Sequence, residues 1–236
     1  QEPDLSILVE ALMAADGDLT TTLSGGNFTV LAPTNDAFAE FLSANGFASL
    51  EEVPTDVLSN ILLNHVITGE VVSTDLTTAG SGYTTTNATN LDGDNLSLYF
   101  STTDGVEFNG LSGVVLADIP ASNGVVHIVD AVIGLPTVVT FATSNPMFET
   151  LVAALTREDL ATDYVSVLSS VASPSPFTVF APTNEAFGSL LTEVGLSSLS
   201  EIPVDLLTST LNTHVVASAN VRSGDLTQGM NVSTLG

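Results

Sequence analysis

Phe28-Thr29-Val30-Leu31-Ala32-Pro33-Thr34-Asn35-Asp36-Ala37-Phe38 returns as Phe177-Thr178-Val179-Phe180-Ala181-Pro182-Thr183-Asn184-Glu185-Ala186-Phe187. Two positions differ, Leu31 against Phe180 and Asp36 against Glu185, and the copies lie 149 residues apart. That spacing is a domain period, well above the roughly 20–50 residues of stacked solenoid repeats. Phe-Thr-Val-Leu is a short β-prone run. Pro33 closes it, because proline has no N–H for a ladder and biases the preceding residue to an extended backbone. Thr34 and Asn35 suit a helix N-cap, Asp36 suits the positive end of the helix dipole, and Phe38, Phe41 and Leu42 share one helical face. The stretch therefore predicts strand, turn and capped helix, made twice.

Working outward, Asp4 to Ala15 carries Leu5, Leu8, Val9, Leu12 and Met13 at helical spacing, with Pro3 near its start and Gly17 at its end. Asn45-Gly46 stops the signature helix, and Pro54-Thr55-Asp56 starts another that bears Val57, Leu58, Ile61, Leu62 and His65 on one side. From Gly69 the pattern turns to β-prone runs at 71–72, 83–86, 96–100, 106–108, 114–119 and 125–132. Asp92-Gly93-Asp94-Asn95, Asp104-Gly105, Asn109-Gly110 and Asn123-Gly124 separate them as turns. Helices followed by strands read as α+β. After the boundary at Leu135-Pro136-Thr137 the second copy opens with a helix bearing Phe148, Leu151, Val152 and Leu155. More helix is expected over Asp159 to Val171, and the copies are in register as far as His65 and His214. The β-rich half and its closing strand have no counterpart in the second copy. Its open sheet edge predicts either that the chain continues or that another chain completes it.

Three ordered motifs resemble fasciclin-type (FAS1) domains: the two signature stretches, then "LLNHVITGEVVSTDL" and "LNTHVVASANVRSGDL", then "NGVVHIVDAVIGLP". The resemblance implies two tandem modules, 1–136 and 137–236, each with helices packed on a β-sandwich or wedge, the second incomplete. It also implies an extracellular or cell-surface adhesion or interaction role through protein or glycan contacts, or through self-association. Carriage of an apolar ligand such as a carotenoid is an alternative, since some algal members bind carotenoids. A third is an accessory subunit of a larger envelope assembly.

Charge narrows the partners. There are 27 acidic residues against 2 basic ones, Arg157 and Arg222, for a formal net charge of −25. Nucleic acid and anionic membrane surfaces are thereby disfavoured, because both are held by Lys and Arg. No apolar run reaches the roughly 18 residues of a membrane span. Gln1 reads as following a cleavage, so the chain reads as a mature or trimmed form. Cysteine is absent, which removes disulfides and thiolate metal sites.

No Gly-x-Ser-x-Gly elbow, phosphate-cradling loop or Cys–His pair is present, so the chain reads as non-enzymatic and without cofactor or metal. Asn64-His65 and Thr213-His214 occupy the second fasciclin-like motif, where Tyr-His is common and has been linked to adhesion; they are the binding candidates. The competing reading is a histidine that caps a helix end. His127 reads as a partly exposed strand residue. Asp92-Gly93-Asp94-Asn95 lacks the spacing and closing glutamate of a calcium loop. Asn27, Asn87, Asn95 and Asn231 fit the N-glycosylation pattern, with Asn27 close against the signature strand.

Overall fold

The computed structural model describes residues 4–236, so Pro3 lies outside the described residues. The chain divides into two compact units, the first ending at Pro136 and the second beginning at Thr137.

The first unit opens with α1 (Ser6–Ala14) and α2 (Leu19–Ser24), then β1 (Phe28–Pro33) and α3 (Asn35–Ala44). Thr34 caps α3 as expected, its hydroxyl accepting from the Ala37 N–H. Asn35 does different work. Its carbonyl oxygen accepts from the Ile7 N–H at 2.9 Å and its amide donates to the Ser6 hydroxyl at 2.9 Å, tying α3 to the first turn of α1. Next come α4 (Thr55–Leu63), β2 (Val66–Thr68) and α5 (Ser73–Ala79). The strands β3 (Ser81–Thr89), β4 (Asn95–Ser101), β5 (Glu107–Phe108), β6 (Ser112–Ala121) and β7 (Gly124–Val129) complete the unit.

These strands form one seven-stranded mixed sheet in the order β2-β1-β7-β6-β5-β4-β3. The signature strand β1 sits inside it, antiparallel to β2 and parallel to β7, with Phe28 opposite Gly124 and Pro33 opposite Val129. The sheet rolls on itself until its two end strands meet, where the Thr68 hydroxyl donates to the Asn87 side-chain oxygen at 2.8 Å. Two cores result. Phe38, Leu58 and Leu62 centre the helical one; Leu31, Leu98, Phe108 and Val129 centre the one inside the rolled sheet.

Three expectations change. Helix α2 forms between Gly17 and the signature strand where no helix was expected, because Asp18 caps it through the Thr21 N–H. Residues 71–72 are not a strand. The Val71 N–H donates to the Thr29 hydroxyl, and Asp75 accepts from the Val72 N–H at the start of α5. Val57 belongs to the α4 helix but is exposed.

The second unit contains α6 (Val138–Ser144), a 3-10 turn (Pro146–Phe148), α7 (Glu149–Leu155), α8 (Tyr164–Ser169), β8 (Phe177–Val179), α9 (Asn184–Val194), α10 (Val204–Thr213) and β9 (Val215–Ala217). Its sheet has two strands among the described residues, with Phe177 opposite Ala217, the repeat of the Phe28–Thr68 register. Strand β8 is shorter than β1, which continues along β7; among the described residues no strand flanks β8 on that side. The Val138-Val139-Thr140 run is β-branched but helical, set by reciprocal bonds between Thr137 and Thr140. Only Tyr164–Ser169 of the expected 159–171 helix forms, capped by Asp163. Asn184 repeats the clasp of Asn35, accepting from the Thr150 N–H at 2.8 Å and donating to the Pro146 carbonyl at 2.9 Å.

Candidate functional site

Asn64 and His65 end α4 at the point where the chain enters β2. Both are enclosed, His65 with 2% of its surface exposed. The Asn64 amide donates to the carbonyls of Ile133 (3.2 Å) and Gly134 (3.0 Å), and its oxygen accepts from the Thr86 hydroxyl at 3.0 Å. His65 Nδ1 lies 2.8 Å from the Ile61 carbonyl, and Nε2 accepts from the Ile133 N–H at 2.9 Å. The imidazole is therefore neutral with its proton on Nδ1, and burial pushes its pKa down to about 4. A buried charged imidazole would lose solvation and would also face the Ile133 N–H with a second donor. The pair is thus an internal clasp: one residue holds the end of α4, β3 and the segment after β7 together. It presents no polar atom to a surface partner.

The second copy differs. Thr213 is exposed, its hydroxyl turned back to the Ser209 carbonyl at 2.8 Å. His214 is half-buried, with Nδ1 2.8 Å from the Thr210 carbonyl, the same bond that His65 makes to Ile61. Of the four binding candidates, Asn64 and His65 lie together inside the first unit, while Thr213 and His214 lie at the surface or partly so in the second.

His127 is buried, contrary to expectation, because β7 is an interior strand. Its Nδ1 accepts from the Asp118 N–H at 3.2 Å, and Nε2 donates to the Val71 carbonyl at 2.9 Å. Asp118 in turn receives the N–H and hydroxyl of Ser73, and these bonds lower its pKa. The trio staples α5 to the β6–β7 hairpin. Serine and histidine each meet the aspartate and not each other, so no activated nucleophile results.

Among the described residues no group of three or more His, Asp or Glu side chains could hold a metal ion, and no single helix is long and apolar enough to cross a membrane. The Asp92–Asn95 turn is organised by Asn90, whose side-chain oxygen accepts from the N–H groups of Asp92 and Asp94. Of the N-glycosylation candidates, Asn27, Asn95 and Asn231 are exposed and Asn87 is half-buried. The Asn95 amide is held by the Thr86 carbonyl at 2.7 Å, and the Asn87 oxygen by Thr68.

A groove of about 570 Å³ opens on the first unit between α3, α4, the turn at Leu111 and the segment 131–135. Phe41, Phe47, Val57, Ile61, Leu111 and Leu135 give it apolar walls, and Glu40 supplies the one ionisable side chain. Leu111 is 60% exposed, and Val57 and Leu135 are also open to solvent. Four separate segments build this groove, and no local pattern in the sequence announces that they meet.

The fasciclin domain model matches residues 3–136 and 146–236, so the chain belongs to the fasciclin domain family. A Synechocystis protein, sll1483, is 37% identical over 129 residues, which are 54% of this chain and 66% of that protein. The transforming growth factor-beta-induced protein ig-h3 of Oryctolagus cuniculus is 30% identical over 212 residues, 89% of this chain but 29% of its own length. The cell surface glycolipoprotein MPB83 of Mycobacterium bovis is 33% identical over 139 residues, 57% of each chain. The chain thus spans less than two thirds of these relatives. A FAS1 domain pair from the insect cell adhesion molecule Fasciclin I shares the fold at a TM-score of 0.55 and 18% identity, covering 98% of this chain and 81% of that one.

Proposed function

We propose that this fasciclin-family chain is a non-enzymatic adhesion or interaction module, secreted or held at the cell surface, acting through protein or glycan contacts or self-assembly. The family match over both units carries the reading, since matched relatives bear names that place them at the cell surface. The internal use of Asn64, His65 and His127 supports it, because the polar groups best placed for chemistry are consumed in holding the fold. Contact with partners then falls to exposed surface, including Thr213 and the groove of the first unit. The test is attachment of the source organism's own cells or matrix to a surface coated with the purified chain, against an albumin coating. Several-fold greater attachment is expected. Attachment equal to albumin, with the protein on intact cells untouched by added protease, overturns the reading.

A second reading, carriage of an apolar ligand such as a carotenoid, draws on the family resemblance and on the groove. A visible absorption band in the protein purified from its native source supports it, and a colourless, lipid-free preparation counts against it.

A further inference from the structure

We infer that the groove of the first unit docks a basic, amphipathic segment of a partner protein, with Glu40 receiving a lysine or arginine at the mouth and Leu111, Val57 and Leu135 receiving apolar side chains. The inference rests on the interaction reading above and gives its partner a chemistry.

Two observations carry it. The first is the groove, apolar along its floor and walls with a carboxylate at one side. Among the described residues the Glu40 carboxylate makes no hydrogen bond or ion pair, and Asp36 lies one turn before it on α3. Exposed apolar side chains gathered around a single depression mark an interaction site. The second is the distribution of charge. Eighteen of the 27 acidic residues lie at or before Pro136, and nine lie after it together with both arginines. The first unit therefore has no lysine or arginine with which to neutralise its own field. Such a field repels acidic partners and a second copy of the chain, and it speeds encounter with a basic one.

The internal repeat localises the site. One period of 149 residues on, Glu40 becomes Ser189 and Asn45 becomes Val194; Phe41, Phe47 and Val57 stay apolar as Leu190, Leu196 and Leu206, while Ile61 becomes Thr210 and Ala44 becomes Glu193. The second copy thus carries its carboxylate one helical turn further on, at Glu193, and does not repeat the arrangement around Glu40. A lysine or arginine on an amphipathic helix reaches such a rim while its apolar face fills the groove.

The test uses the full chain and a fluorescein-labelled 14-residue amphipathic helix built from leucine and lysine, read by fluorescence anisotropy. The same peptide with glutamate in place of lysine is the comparison. Saturable binding of the lysine peptide is expected, with at least about tenfold weaker binding of the glutamate peptide. Leu111→Asp should weaken the lysine peptide by about tenfold or more, although it adds a negative charge. Glu40→Lys should weaken it too and narrow the preference between the peptides. Both positions are exposed, so the far-UV spectrum should be unchanged. Equal or tighter binding by Leu111→Asp means general attraction to an acidic chain and overturns the proposal. Two other results overturn it as well: a dimer in light scattering that Leu111→Asp dissociates, or uptake of the neutral dye Nile red that the lysine peptide does not displace. Cell attachment that persists while peptide docking fails removes this proposal and leaves the interaction reading standing; the converse removes the interaction reading alone.

Discussion

Acidification from pH 7 to pH 4 should cost the first unit about 3 kcal/mol through His65 alone. The imidazole is neutral in the folded chain with a pKa of about 4, against 6.5 in the unfolded chain. Below pH 6.5 the unfolded chain takes up a proton that the folded chain refuses, so stability falls with pH through this window. The loss is complete once pH drops below the folded value. The gap of about 2.5 pH units, at roughly 1.4 kcal/mol each, sets the magnitude. Carboxylates titrate over the same range, and relief of a net charge of −25 acts in the opposite direction. The quantity to measure is therefore a difference. Urea unfolding of the wild type and of His65→Gln should be followed at pH 7, 5.5 and 4, with amide exchange at Ile133 as the local probe. At pH 7 the variant should be less stable by roughly 1–3 kcal/mol, since the Ile133 N–H and the Ile61 carbonyl lose well-placed partners. By pH 4 that deficit should vanish or reverse. Parallel stability curves would refute the buried, neutral histidine and with it the clasp.

Four further outcomes test the architecture. Gly124→Ala should destabilise the first unit by about 3 kcal/mol or more in urea unfolding. The backbone there has φ +144°, and an added Cβ would fall 1.8 Å from the Phe28 carbonyl oxygen, against the β1–β7 pairing. Asn35→Ala and Asn184→Ala should each cost roughly 1–2 kcal/mol in their own unit, read as faster amide exchange in α1 and α7 respectively. Arg157→Ala should destabilise the second unit by roughly 1–3 kcal/mol in thermal unfolding. That guanidinium bonds the Leu199 and Ile202 carbonyls as well as Asp159; Thr213→Ala, at an exposed hydroxyl, should shift stability by no more than about 0.5 kcal/mol.

Reading the chain as a string recovers what is local or repeated. The signature stretch specified its strand, cap and helix, since each depends on residues within one turn of one another. Its recurrence also specified a second unit with the same β register, because the same side chains meet the same neighbours. Local pattern misled where distant partners decide. Val71-Val72 reads as β-prone yet leads into α5 because Thr29 and Asp75 occupy its backbone. The histidines show the same division. Their positions in the motif identified them, but His65 became an internal clasp only because Ile133, 68 residues away, brings its N–H to the ring. His127 became enclosed only because β7 lies between β1 and β6. The groove belongs wholly to the tertiary level. Its walls come from four segments whose spacing carries no period, and the roll of the sheet and the packing of α3 and α4 bring them to one place.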